Sequence, residues 1–287
     1  MGSADVTESQ FTSDYAHGPP WVFKGRALYQ LHLVKKEIAC KLIPKELKLV
    51  EAFGYTLGGL FLAHYDASPA GVFDELVVIS GIVWNPPTSC AWATRVLVSS
   101  HEACRHGRKE IGLPSHFAEF SKSTESLQRP RKKGRGALGL TKPGSAFSIP
   151  ETRPGTQVIE FRDDAATPLC NITLPLGARE DKRWMGPVIK FSLPSFSGRT
   201  VHNPLLLKYS CHVKCRVRPV EPARLYAPGS GNRNDGEEGK SAQPAGDEAS
   251  RSLGVSVLLS KPILALEFSS LEMRVGAPSV VGGPPAG

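Results

Sequence analysis

Alternation of apolar and polar residues in short stretches is the dominant pattern of the chain. Residues 21–34 mix bulky and β-branched side chains with polar ones in a broken alternation, which predicts a strand. Turn residues such as Asn85-Pro86-Pro87 separate the strands at the spacing of an all-β sheet or barrel. Further strands are predicted at residues 47–52, 56–66, 75–83, 91–99, 146–149, 156–161, 171–174, 188–192, 206–217, 255–259 and 264–274.

Two short helices interrupt this β pattern. The first is predicted at residues 35–42 and has to end before Pro44, because the residue before a proline disfavours helical geometry. The second is predicted at residues 101–109, with Ser100 as its N-cap. Gly112 is expected to terminate it.

One domain is expected over residues 19–275, since the chain has no internal repeat. Residues 1–18 are polar and residues 276–287 are rich in Gly and Pro, so both ends are expected to be disordered. Residues 227–250 contain almost no large apolar side chain and predict a disordered insertion. They do not separate two domains, because the strands that follow are too few to form a core of their own.

The composition and charge of the chain bear on whether it binds nucleic acid. Glycine and proline make up about 18% of the 287 residues, against ~12% in average proteins, which agrees with many turns. The net charge is +8, and residues 129–135 hold five positive charges in seven positions, which can indicate a nucleic-acid-binding arm. No aromatic residue is interleaved there for base stacking, so a solvated loop is favoured and no nucleic-acid partner is expected.

The sequence shows no clear signal for insertion into a membrane, secretion or import into an organelle. The longest apolar run, residues 76–84, is shorter than the ~20 residues of a membrane span, so no transmembrane segment is expected. Residues 1–17 lack the basic start and apolar core of a signal peptide. The same residues contain three carboxylates and no arginine, unlike a transit peptide. We therefore expect a cytoplasmic location, with the chloroplast as the alternative.

Six cysteines are spread along the chain without a disulfide-like arrangement, and we expect them to be reduced. Cys211 and Cys215 are the one close pair, with His212 between them. On a strand they share a face some 13 Å apart, too far for one zinc ion. No metal and no cofactor are expected.

Three segments stand out together: Pro20-Trp-Val-Phe-Lys-Gly-Arg26, Gly71-Val-Phe-Asp-Glu75 and Gly107-Arg-Lys-Glu-Ile-Gly-Leu-Pro114. In this order on a β-rich chain they resemble the acetoacetate decarboxylase superfamily. The resemblance implies a mainly β fold, a cone-shaped β-barrel with two or three short helices and a small-molecule ligand in its pocket.

The resemblance also implies three catalytic residues around that pocket. Lys109 corresponds to the lysine that forms a Schiff base, Glu75 to an acid, base or orienting carboxylate, and Arg26 to a clamp for a substrate carboxylate. Such a lysine needs a lowered pKa, and acetoacetate decarboxylase is itself the standard example of an amine activated in this way. Here Glu110 replaces the family's second lysine, and a carboxylate favours the charged amine. Lys109 is therefore either the reactive amine or a structural or ligand-pairing residue.

A closer resemblance joins residues 52–60, 68–76, 82–92 and 259–266 to the neoxanthin-deficient family of plants. It implies that the chain is required for making neoxanthin from violaxanthin, on the route to abscisic acid. Violaxanthin carries epoxides but no ketone or carboxylate, so an amine has no carbonyl to attack. We expect an accessory or ligand-binding protein. One alternative is a Schiff-base lyase for a keto acid or related carbonyl compound, and another is an adaptor for a membrane-bound neoxanthin-forming enzyme.

Overall fold

The structure, a computed structural model, describes residues 15–127, 151–162, 165–174, 186–228 and 247–281. The strands are β1 Trp21–Lys35, β2 Tyr55–Ala67, β3 Phe73–Asn85, β4 Thr88–Val98, β5 Ser115–Leu127, β6 Glu151–Arg162, β7 Ala165–Thr173, β8 Val188–Gly198, β9 Leu206–Val220, β10 Arg224–Tyr226, β11 Lys261–Val275 and β12 Ser279–Val280. The helices are α1 Lys36–Leu42, α2 His101–His106 and α3 Asp247–Leu258, and the π-helical turn Gly107–Ile111 follows α2. The predicted mainly β class is confirmed.

Seven strands form a closed barrel in the order β4-β3-β2-β1-β11-β9-β8, and β8 then pairs with β4. All the neighbours in this ring are antiparallel except the closing pair. There Ala91 pairs with Ser195 and Trp92 with Phe196 in parallel. Closure leaves the barrel wall without an open edge and encloses a space.

A second layer extends from the barrel wall. β5 runs parallel to the end of β4, and β6, β7 and β10 add to it in antiparallel pairs. This layer packs on the outer face of the wall, where Leu60, Leu76 and Val78 are fully buried in one cluster with Val158 and Ile172. The wall strands β2 and β3 therefore bury both faces.

Because side chains alternate along each strand, the inner face of the wall packs into a core inside the barrel. The outer face packs into a second core, beneath the second sheet. On β2, Phe61 and Ala63 belong to the barrel interior, whereas Leu60 and Leu62 belong to the layer beneath the second sheet. Two-sided burial explains why β3 has the near-continuous apolar stretch that a strand wetted on one face would lack.

Several predicted elements are confirmed with small changes at their ends. The Ser100 hydroxyl caps α2 by accepting a hydrogen bond from the Ala103 N–H at 3.2 Å. Gly112 ends the following π-helical turn with φ 71°, the left-handed geometry expected of such a terminator. Its added Cβ would lie 3.0 Å from the Gly198 backbone nitrogen, so a side chain there would also crowd the wall.

Other predictions were wrong. A strand was predicted at residues 255–259, but residues 255–258 form the end of α3, where Val257 and Leu258 are buried against the barrel. Residues 47–52 form isolated bridges at Leu49 and Ala52 instead of a strand. The strand β5 was not predicted at all.

The chain ends also differ from expectation within the described residues. Residues 15–18 are placed at one end of the barrel, and Tyr15 is buried there. Within the predicted tail, β12 pairs with Lys208 and Leu207 of β9. Four residues of the predicted insertion begin α3. The basic run at 129–135 and the predicted strand at 146–149 lie outside the described residues.

Candidate functional site

The barrel interior contains a cavity of about 140 Å³. Its wall is mostly aromatic and aliphatic, because every second residue of the surrounding strands points inward. The polar side chains among the described lining residues are Tyr15, Tyr29, Tyr65, Glu75, His106, Ser115, Ser195, Tyr209 and Cys211. None of the described lining residues is a lysine or an arginine.

Glu75 is the carboxylate of this cavity. It lies on β3 between Phe73 and Val77, two residues of the barrel core, and therefore points inward. The Tyr65 hydroxyl donates a hydrogen bond to Glu75 Oε2 at 2.6 Å. Burial raises the pKa of Glu75 to about 7, and the hydrogen bond from Tyr65 opposes that rise. At neutral pH the carboxyl is thus poised between its acidic and basic forms.

Two further groups of the cavity remain protonated at neutral pH. Burial raises the pKa of the Cys211 thiol to about 12, with a smaller contribution from the nearby Glu75 carboxylate. Burial, followed by Cys211 and Glu75, also raises the pKa of the Tyr209 phenol. The Cys211 thiol and the Tyr209 phenol are therefore neutral, and neither is an activated nucleophile.

An aromatic cap covers the cavity at the end where β1 begins. Tyr15 stacks on His106 with ring centroids 3.6 Å apart and planes 15° apart. Trp21 meets the same imidazole edge-on at 4.4 Å, and its indole N–H donates to the His17 carbonyl oxygen at 3.1 Å. The cap joins the first described residues of the chain to α2.

Arg26 does not line this cavity. It lies on β1 next to the inward-facing Ala27, and the alternation places its side chain on the outer face. There it lines a separate cleft of about 480 Å³, together with His64, Asp74 and Lys122. Its side chain is 63% exposed, and its guanidinium lies 3.9 Å from the Asp66 carboxylate.

Lys109 does not line the cavity either. The π-helical turn buries Gly107 and Ile111 toward the barrel, whereas Lys109 between them is exposed. The Lys109 side chain is 56% exposed, and its amine lies 3.7 Å from Glu110 Oε1. Of the three residues expected to meet around one pocket, only Glu75 reaches the barrel cavity, because strand alternation and the π-helical turn direct Arg26 and Lys109 elsewhere.

Sequence reasoning did not identify the partners of Glu75. Tyr65 sits two residues from the position opposite Glu75 in the β2–β3 register. The sequence offered one signal for this pair. A tyrosine on one strand and a glutamate on the next both occupy alternating positions that point into the barrel. Tyr209 and Cys211 come from β9, distant in sequence, so only the closed barrel brings them near Glu75.

Disulfide bonds, metal-binding clusters and membrane-spanning helices are not found among the described residues. The six cysteines are free thiols. No three His, Cys, Asp or Glu side chains of the described residues gather closely enough to hold a metal ion. Nor do these residues include a helix with the length and apolar character needed to cross a bilayer.

Curated relatives extend along nearly the whole chain. Protein Neoxanthin-deficient 1 of Oryza sativa subsp. japonica is 54% identical over 280 residues, covering 96% of this chain and 93% of the relative. The protein of the same name from Arabidopsis thaliana is 54% identical over 278 residues, covering 96% and 98%. The one from Solanum lycopersicum is 53% identical over 292 residues, covering 96% and 97%.

Solved structures share the fold at low sequence identity. A structure of acetoacetate decarboxylase matches with a TM-score of 0.51 at 9% identity and covers 96% of this chain and 94% of that one. The enduracididine biosynthesis enzyme MppR, complexed with pyruvate, matches with a TM-score of 0.51 at 13% identity and covers 98% and 97%. These similarities confirm the acetoacetate decarboxylase-like fold. No protein-family profile matches the chain.

Proposed function

The chain belongs to the Neoxanthin-deficient 1 family, and we propose on this premise that it is required for neoxanthin biosynthesis. It acts as an accessory protein that binds a small, mostly apolar ligand in the barrel cavity. It does not itself catalyse the conversion of violaxanthin to neoxanthin. Through neoxanthin it contributes to the route toward abscisic acid, from a cytoplasmic or chloroplast location.

The make-up of the cavity carries this proposal. Apolar walls around a few converging polar groups are typical of small-molecule sites. A carboxyl that is partly protonated near neutral pH donates a hydrogen bond to a neutral oxygen of a ligand, and Tyr65 holds Glu75 in place for it. The absence of a cationic side chain among the described lining residues disfavours an anionic keto acid.

The size of the cavity sets the ligand class. At about 140 Å³ it is close to an engineered apolar cavity of about 150 Å³ that accepts benzene. A group the size of one six-membered ring fits inside, whereas a forty-carbon carotenoid does not fit as a whole. The expected ligand is therefore a ring-sized neutral compound, or the end ring of a longer one.

Binding of a small neutral cyclohexenyl ketone such as 1-acetylcyclohexene, which is little larger than one six-membered ring, tests the ligand class. Trp21 lines the cavity, so ligand entry should quench its fluorescence, with the Trp21→Phe variant as the control for the signal. Binding should be tighter at pH 6 than at pH 9, because protonated Glu75 donates to the ketone. Acetoacetate and pyruvate should not bind. Tighter binding of these anions than of the ketone would contradict the proposal.

Pigment analysis tests the biological role. In a plant line that lacks its own family member, the chain should restore neoxanthin, as measured by chromatography of leaf pigments. The Ala93→Leu variant, which fills the cavity, should restore little, and Lys109→Met should restore as much as the unchanged chain. Full restoration by a folded Ala93→Leu protein would refute a role for the cavity and favour the adaptor role.

A further inference from the structure

Five large side chains are exposed together at the end of the barrel where β1 finishes. Phe53 is 100% exposed, Trp84 46%, Leu57 43%, Tyr55 40% and Val50 39%. We call this group the apolar corner. In a folded protein such a group of exposed apolar side chains marks an interaction surface.

Backbone pairing brings these residues together. The Val50 N–H donates to the Ile82 carbonyl at 2.8 Å, and the Trp84 N–H donates to the Lys48 carbonyl at 2.7 Å. Ala52 bridges to Tyr55 across a two-residue turn. The segment from Lys48 to Leu57 therefore runs beside the end of β3, so the residues of the apolar corner lie at the same end of the barrel.

Phe53 occupies an unfavourable position within this turn. Its φ is 53° and that of Gly54 is 79°, so both central residues have left-handed backbone geometry. Turns of this kind favour asparagine followed by glycine, because a bulky side chain is strained there. The side chain is fully exposed and adds nothing to either core. A contact outside the chain would account for an aromatic residue at this place.

Lysines surround the apolar corner. Lys35 pairs with Tyr55 in the β1–β2 register, Lys48 is bonded to Trp84 through the backbone, and Lys261 pairs with Leu33 at the same end of β1. All three are exposed. The neighbouring Glu51 carboxylate is paired with Lys36 at 2.6 Å. The rim is therefore positive around an aromatic centre.

We propose that the apolar corner docks onto a lipid bilayer that contains anionic lipids. Phe53 inserts among the lipid chains, Tyr55 and Trp84 lie at the headgroup level, and the lysines contact anionic headgroups. The protein is held at the membrane surface by this tip alone. Docking in this way leaves the aromatic cap, at the opposite end of β1, facing away from the bilayer.

Sedimentation with lipid vesicles tests this docking. The full chain should bind vesicles of phosphatidylcholine mixed with phosphatidylglycerol more tightly than vesicles of phosphatidylcholine alone. Added salt should weaken the binding, because the headgroup contacts are screened. Brominated lipids should quench tryptophan emission in the bound protein, and the Trp84→Phe variant should lose most of that quenching.

The Phe53→Asn variant separates docking from folding. Asparagine suits the left-handed turn, so the variant should unfold at the same temperature as the unchanged chain or a higher one. Its affinity for the mixed vesicles should fall about tenfold or more. The matched control is Val72→Asn, a change at a 65% exposed valine in the β2–β3 turn at the other end of the strands. This control should bind as the unchanged chain does.

Three outcomes would overturn the proposal. One is failure of the unchanged chain to bind the mixed vesicles. Another is an equal loss of binding in Phe53→Asn and Val72→Asn. The third is light scattering that shows Phe53→Asn breaking a dimer while vesicle binding stays the same, since the apolar corner would then be an interface between copies of the chain.

Discussion

Glu75 belongs both to the barrel wall and to the lining of the candidate site. Its inward position follows from strand parity, and its perturbed pKa follows from removal of the carboxylate from water. Tyr65 compensates in part by donating a hydrogen bond to Oε2. The sequence could predict that Glu75 belongs to a site, but the hydrogen bond that fixes it depends on the register of β2 and β3.

Glu75 should make the stability of the protein depend on pH. Its pKa in the fold is about 7, above its ordinary value of 4.5. A raised pKa means that the protonated carboxyl favours the folded state, so this stabilisation is complete below pH 4.5 and is lost as the pH rises through 7. Glu75→Gln removes the ionisation and should stabilise the protein at pH 8 by about 1–3 kcal/mol. At pH 5 it should have little effect, as urea unfolding at the two pH values would measure.

Glu119→Gln is the matched control for this prediction, because Glu119 is exposed on β5. It should change the free energy of unfolding by less than about 0.5 kcal/mol at either pH. Equal effects of Glu75→Gln at pH 5 and pH 8 would show that the carboxyl does not titrate in the buried state.

Lys109 should not form a Schiff base with small keto acids. Its amine lies 3.7 Å from Glu110 on a side chain that is 56% exposed, outside the cavity in which a keto acid would be held for attack. After incubation with acetoacetate and borohydride, peptide mass mapping should find no adduct on Lys109. Lys109→Met should bind the cyclohexenyl ketone with unchanged affinity. A borohydride-dependent adduct that Lys109→Met abolishes would favour the lyase instead.

At the scale of elements, sequence motifs predicted the features that depend only on neighbouring residues, such as helix caps. The N-cap of α2 and the left-handed Gly112 were both visible in the sequence and both are present. The helix α3 was missed because its valines favour strands by propensity, whereas burial of Val257 and Leu258 against the barrel decides its structure. The strand β5 was also missed, because residues 128–150 separate it in the sequence from its partner β6.

The residues before β1 are predicted to control access to the cavity. Tyr15 lines the cavity and stacks on His106, so its removal should open that end of the barrel. In Tyr15→Ala, the association and dissociation rates of the cyclohexenyl ketone should both rise by roughly tenfold, since each step must displace the ring. Stopped-flow fluorescence measures both rates.

Tyr15→Phe keeps the stacked ring and is the control for this change. It should leave both rates within about twofold of the unchanged chain, because a hydroxyl removal is a small perturbation beside loss of a ring. Unchanged rates in Tyr15→Ala would show that ligands enter by another path and that the cap is structural.

At the scale of the whole molecule, the cavity depends on closure of the barrel, because its lining residues come from strands as distant in sequence as β3 and β9. The class of fold could be predicted from strand periodicity and resemblance, because both reflect the whole pattern of the chain. The site could be predicted only in part. Whether Arg26 faces the cavity or the outer cleft depends on one step of alternation relative to Ala27, which no motif spacing specifies.

A buried ionic cluster links the layers. Glu160 on β6 accepts hydrogen bonds from Arg95 on β4, including one at 3.1 Å from Nε, and both side chains are almost fully buried. Arg251 of α3 reaches the same carboxylate at 3.3 Å, and His116 of β5 at 3.1 Å. One carboxylate therefore joins the barrel wall, the second sheet and α3.

Removal of this carboxylate should weaken the attachment of the second sheet and of α3 to the barrel wall. Glu160→Gln leaves the buried Arg95 and the partly buried Arg251 without their shared counter-charge and should lower the free energy of unfolding by about 3–5 kcal/mol. The control Glu267→Gln breaks a partly exposed pair with Arg218 and should lower it by less than about 1 kcal/mol. Adding Arg95→Met to Glu160→Gln should recover part of the loss, because one uncompensated charge is then gone. If Glu160→Gln costs no more than Glu267→Gln in urea unfolding, apolar packing alone holds the second sheet on the barrel.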